Sequence, residues 1–193
     1  LPAIDFYPRE MFPWAAALEA RTDQIRDELL ALLQEDEERF IPYVQKNLPQ
    51  GTAASPWAPL NHSTNWGVYF LHNQGEPVER NLARCPATAQ ALSAVPLVHI
   101  PGRGPSVFFS RLKPGAHIPA HHGATNTRLV AHLPLVVPPN CGLRVGNRTV
   151  EWRPGELVVF DDTLEHEAWN RSDQTRVVLI FDSWNPLLTD VER

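Results

Sequence analysis

Thiol is scarce in this chain. Its two cysteines, Cys85 and Cys141, are too few among 193 residues and too far apart for a disulfide framework or a cysteine zinc site. No run approaches eighteen apolar residues, so no segment here is a membrane span. Lys and Arg number 17 against 22 Asp and Glu, a net charge of −5. That balance excludes the clustered basic excess that a broad nucleic-acid footprint requires. Internal repeats and low-complexity linkers are absent as well. What remains is a chain of 43% hydrophobic residues, too apolar to be mainly disordered and of a length that suits one domain. Imidazole, by contrast, is plentiful. Eight histidines supply the commonest metal ligand and the usual proton shuttle near neutral pH. The chain opens Leu1-Pro2-Ala3 without a methionine, so a preceding targeting segment would be invisible. The expected setting is cytoplasmic.

The texture changes along the chain. Leu18, Ile25, Leu29 and Leu32 recur at helical spacing within 14–39, which predicts one helix opening after Pro13. A shorter helix is expected at 86–94, starting on Pro86 and stopping before Pro96. The stretch 47–62 reads as a loop, 65–71 as a strand and 72–84 as a second loop. From about residue 105, short β-rich runs alternate with turn signals: 106–112, 127–137, 142–152, 156–161, 166–170 and 175–182. Gly146-Asn147 marks a tight hairpin between two of them. Such spacing predicts a mainly β, α+β chain with a double-stranded β-helix, a cupin-like jelly roll. The expected organisation is a single domain over 1–193, with a helical and mixed supporting part (1–104) and a β core (105–186).

Several polar residues stand among apolar neighbours on strand faces. Alternation puts Arg128, Val130 and His132 on one face, Arg176, Val178 and Ile180 on another, and Ser110 beside Phe108 and Leu112. Together these groups describe a pocket that holds anions. The segment 117–123, read as a loop, carries His117, His121 and His122. His166 follows 45 residues after His121, and Arg176 ten residues later. A histidine, a distant second histidine and an arginine about ten residues on is the chain order of iron/2-oxoglutarate oxygenases. Non-heme Fe(II) needs few protein ligands on one face, and a guanidinium fork suits a distal carboxylate. The usual third ligand, a carboxylate two residues after the first histidine, is missing, because Gly123 stands there. Either two histidines and water hold the metal, or Asp162, Glu165 or Glu167 supplies an oxygen.

A longer run of residues now comes into play: Pro114-Gly115, His121, Gly123, Thr125-Asn126, Arg128-Leu129 and His132-Leu133. It continues through Trp152, Gly155, Phe160-Asp161-Asp162, Glu165-His166-Glu167, Trp169, Arg176 and Asp182-Trp184-Pro186. Over 106–186 the chain resembles the aspartyl/asparaginyl β-hydroxylases. In that family two histidines hold the iron, and a glycine replaces the carboxylate. The resemblance implies a single catalytic domain with His121 and His166 as catalytic metal ligands, and Fe(II) as cofactor with 2-oxoglutarate and O₂ as cosubstrates. It implies that Arg176, helped by Ser110, binds the distal carboxylate of 2-oxoglutarate and that His132 contacts the end nearer the metal. Arg128 would face the acidic or amide group of a small-molecule, peptidyl or carrier-bound amino-acid substrate, hydroxylated at its β-carbon. One departure is Val130, where the animal enzymes carry a second arginine. Trp152, Trp169 and Trp184 read as core and rim packing. Two rivals share the fold: a cupin-like module that binds metal or carboxylate without turnover, and a zinc-dependent hydrolase or isomerase. Against both stand Arg176 and the lack of a third strong zinc ligand.

Overall fold

A computed structural model describes residues 1–46 and 55–193. In chain order the helices are α1 (Ala15–Glu19), α2 (Thr22–Glu35), α3 (Glu79–Leu82) and α4 (Pro86–Leu92). The first strands are β1 (Ile41–Pro42), β2 (Trp66–Asn73), β3 (Glu76–Pro77), β4 (Val107–Leu112), β5 (His117–His121) and β6 (Arg128–Val136). Then come β7 (Cys141–Val145), β8 (Arg148–Glu151), β9 (Val158–Phe160), β10 (His166–Asn170) and β11 (Arg176–Trp184).

Two antiparallel sheets form the jelly roll. The larger runs β1-β2-β4-β11-β6-β9, with β3 on β2, and the smaller runs β5-β10-β7-β8. Alternation divides each strand of the larger sheet between two cores. Tyr69, Phe109, Leu129, Leu133, Leu179 and Phe181 point outward and pack under α2 through Ile25, Leu29 and Leu32. Val68, Phe108, Leu112 and Val178 point inward and meet Leu143, Val145 and Ala168 of the smaller sheet. Among the described residues no helix is long and apolar enough to cross a membrane.

Three expectations need correction. The helix over 14–39 is broken: α1 ends at Glu19, whose carbonyl accepts the Thr22 hydroxyl at 2.6 Å, and α2 restarts at Thr22. Hydrophobic spacing survived the break because Leu18, Ile25, Leu29 and Leu32 are all buried. The segment 117–123 is not a loop at its start, since 117–121 forms β5, an edge strand that tolerates Pro119. The stretch 72–84 carries the end of β2, then β3 and α3. Of the loop expected at 47–62, residues 47–54 lie outside the described residues. The hairpin at Gly146-Asn147 joins β7 to β8, and Gly146 adopts φ +56°, which glycine allows without strain.

Candidate active site

The strand pair β5–β10 brings the two histidines together. His121 and His166 are direct partners in the antiparallel register, and their ring centroids lie 4.0 Å apart. Each ring is oriented by its own backbone two residues upstream. His121 Nδ1 lies 2.8 Å from the Pro119 carbonyl, and His166 Nδ1 lies 3.0 Å from that of Leu164. A carbonyl only accepts, so the network assigns the proton to Nδ1 and leaves the Nε2 lone pair free. Burial lowers both imidazole pKa values; His166, further depressed by the proximity of His121, falls to about 4. Both rings are therefore neutral at pH 7, with Nε2 available as a lone-pair donor.

Those rings open onto a cavity of about 260 Å³ between the sheets, whose wall also includes His132 and Arg128. His132 is buried, its Nδ1 has no partner, and burial with the nearby Arg176 charge holds it well below the ordinary imidazole range. Arg128 is not a free cation. It donates to Asp162 and to Asp182, each at 3.1 Å. Asp182 pairs with Val130 across β11–β6, so it meets Arg128 on the diagonal of one sheet face. Burial raises the pKa of both carboxylates, with the Arg128 charge opposing it.

Ser110 and Arg176 lie outside the cavity wall, buried behind it, with Arg176 1% exposed. The Ser110 hydroxyl accepts Trp66 Nε1 at 3.0 Å, and the Ser110 carbonyl accepts Arg176 Nη1 at 3.1 Å. Arg176 Nε has no partner, and no carboxylate among the described residues pairs with this guanidinium. Burial lowers its pKa to about 10, which still leaves it charged at neutral pH.

The open question of a third metal ligand narrows. Glu165 and Glu167 are engaged by Arg144 in ion pairs, and Glu167 also meets the exposed His117 at 2.7 Å. Only Asp162 of the three faces the cavity, with Oδ1 buried and unpartnered. A Cβ at Gly123 would fall within its carboxylate, so the glycine is a steric requirement of Asp162. Among the described residues no cluster of three His, Cys, Asp or Glu side chains forms a metal site. His122 bonds the Thr163 carbonyl, and His72 and His99 line a different cavity. Sequence reasoning missed Asp182, Tyr43 and Trp66 as cavity residues. The inward alternation on β11 and β2 is the signal that would have found Asp182 and Trp66.

A family model described as aspartyl/asparaginyl beta-hydroxylase matches residues 19–186. An ornithine lipid ester-linked acyl 2-hydroxylase of Rhizobium tropici is 37% identical over 184 residues, covering 94% of this chain and 60% of the relative. The human aspartyl/asparaginyl beta-hydroxylase is 33% identical, covering 92% of this chain and 22% of that protein. Human aspartate beta-hydroxylase domain-containing protein 2 is 34% identical over 84% of this chain and 44% of its own length. The chain thus spans from about a fifth to three fifths of these relatives. Among solved structures, a cupin domain from Bordetella pertussis overlaps 47% of this chain and 93% of its own, with 20% identity and a TM-score of 0.36. With the matched span taking in both sheets and the stretch that carries His121, His166 and Arg176, the chain belongs to the aspartyl/asparaginyl β-hydroxylase family.

Proposed function

We propose that the protein is an Fe(II)- and 2-oxoglutarate-dependent hydroxylase. The observation that carries this reading is the pairing of two neutral imidazoles, Nε2 atoms free, with a buried arginine that has no carboxylate partner. His121 and His166 suit a non-heme iron, which needs open positions and few protein ligands. Iron bound there supplies the oxidation: O₂ is consumed, 2-oxoglutarate yields succinate and CO₂, and one oxygen enters a substrate C–H bond.

The protein's own residues do the rest. Arg176 binds the distal carboxylate of 2-oxoglutarate with help from the Ser110 hydroxyl, and His132, held neutral, hydrogen-bonds its inner end. Asp162, kept in place by Arg128 and by the absence of a side chain at position 123, presents Oδ1 to the cavity as an acceptor. Because Arg128 is already shared between two carboxylates and residue 130 is Val, the site offers a free substrate carboxylate little attraction. We therefore place the substrate among acyl- or amide-linked amino-acid derivatives, whether small, peptidyl or carrier-bound. A lipid-linked acyl group belongs on the same panel, given the name of the Rhizobium relative.

The test is 2-oxoglutarate consumption with Fe(II) and ascorbate, with and without chelator, across that panel. His166→Ala is expected to abolish succinate formation, and wild-type turnover in that variant would refute the ligand assignment. Activity restored by zinc without 2-oxoglutarate consumption would move the protein to the hydrolase class.

A further inference from the structure

Buried charge is costly unless something compensates it, and Arg176 lacks the usual compensation. Its side chain makes one hydrogen bond, to the Ser110 carbonyl. What it has instead is an aromatic face. The Arg176 Cζ atom lies 4.8 Å from the centroid of the Trp152 ring. Trp152 comes from the other sheet, at the first position after β8, and is 4% exposed. Its indole Nε1 is buried and unpartnered, so the ring is not anchored by the hydrogen bond a buried tryptophan usually makes. The same ring lies 5.8 Å from that of His132. Trp152 thus spans the two residues assigned to opposite ends of the cosubstrate.

We propose that Trp152 is a positioning residue for cosubstrate binding: its π face holds the Arg176 guanidinium in place while leaving its charge unneutralised. The inference rests on the cosubstrate reading of Arg176 given above. The chemical logic is a choice of counter-group. A carboxylate beside Arg176 would stabilise the cation but cancel its charge and compete with any incoming carboxylate. An aromatic quadrupole stabilises the cation without supplying a negative charge or occupying the hydrogen-bonding edge of the fork.

The experiment is direct calorimetric titration of 2-oxoglutarate, and of glutarate as a second dicarboxylate, into Mn(II)-loaded protein without O₂. Wild type, Trp152→Phe and Trp152→Leu are compared, with thermal unfolding of the ligand-free proteins alongside. Trp152→Leu is expected to weaken both dicarboxylates about 30-fold, the equivalent of a desolvated cation–π contact of about 2 kcal/mol. Trp152→Phe, which keeps a weaker π face, should recover most of that loss. If Trp152→Leu melts earlier but binds both ligands as tightly as wild type, Trp152 only packs the core and the inference falls. If Trp152→Phe binds as weakly as Trp152→Leu, the ring face is not the agent, and the inference again falls. If wild type itself binds neither dicarboxylate, the cosubstrate reading fails and takes this inference with it.

Discussion

Two buried arginines sit one step apart on neighbouring strands and on opposite faces of the same sheet. Arg111 of β4 points outward beneath the helices, and Arg176 of β11 points inward between the sheets. Both lie over an aromatic ring, Arg111 at 4.7 Å from Phe40 and Arg176 at 4.8 Å from Trp152. Only Arg111 has a carboxylate, Glu37 at 2.9 Å. The difference separates a cation that serves the fold from one left short of an anion. A finished ion pair needs nothing more. An unfinished one, held in place by packing from both sheets, suits the role proposed for Arg176, whose ligand would carry the missing charge.

The largest effect should come from exchanging each arginine for methionine, which keeps most of the volume. Arg176→Met is expected to weaken 2-oxoglutarate at least 100-fold while raising stability by about 1–3 kcal/mol, since it removes a buried charge that no carboxylate neutralises. Arg111→Met should leave 2-oxoglutarate affinity unchanged and cost about 1–2 kcal/mol through the lost charge-assisted hydrogen bond and ring contact. Calorimetric titration and urea unfolding of the two variants separate these outcomes. Parallel losses of affinity and stability in both would erase the distinction.

Acid should expose the same asymmetry. The inward face carries histidines whose pKa values are lowered by burial, His166 to about 4 and His121 and His132 in the same direction. A depressed imidazole refuses a proton that the unfolded chain accepts below about pH 6.5, so stability falls as pH drops and levels off only below the folded pKa. For metal-free protein, His166 alone should cost about 1 kcal/mol by pH 5.5 and about 3 kcal/mol by pH 4. Asp162 and Asp182, whose pKa values burial raises, act in the opposite sense in the carboxylate range. Urea midpoints measured from pH 7.5 to 5.5 therefore isolate the histidines, and a flat profile there would contradict the buried neutral rings.

Much of this inward face was legible in the sequence, because alternation alone groups Arg128 with His132, Arg176 with Val178, and Ser110 with Phe108 and Leu112. The two histidines were legible by spacing, since 45 residues carry the chain over to the larger sheet and back to register His166 against His121. What alternation does not encode is the partner across space. Asp182 sits 54 residues from Arg128, and nothing local in either strand announces that they will share a diagonal. Trp152 read as packing because an aromatic past a strand end is ordinary, and its role depends on a cation in the other sheet. The break between α1 and α2 escaped for a different reason. Burial kept its period through the interruption, so hydrophobic spacing carried no trace of it.

Gly123 gives a steric form of the same contrast. An added methyl there meets the Asp162 carboxylate, itself fixed by Arg128, so Gly123→Ala should cost about 2 kcal/mol by overpacking. Asp162→Ala in the same chain should recover most of that loss in urea unfolding, a coupling that independent sites would lack. Equal costs of Gly123→Ala in the two backgrounds would show that the glycine is needed for another reason.

The smallest expected effect concerns the metal, and it follows from the charge that the inward face lacks. Two neutral imidazoles leave a bound divalent cation with its full charge, and Arg176 adds another positive charge behind the cavity. Asp162 and Asp182 are the carboxylates facing the cavity among the described residues, and Arg128 already draws on both. A dianion that joins both positive centres should therefore bind more tightly with the metal present, and by linkage the metal should bind more tightly with the dianion present. We expect Mn(II) affinity, used in place of oxidisable Fe(II), to rise about 10-fold, or about 1.4 kcal/mol, with saturating 2-oxoglutarate. In Arg176→Met the same concentration of 2-oxoglutarate should give little of that gain, because the dianion no longer binds. Equal Mn(II) affinity with and without 2-oxoglutarate in the wild-type protein would show that the missing charge is supplied from elsewhere.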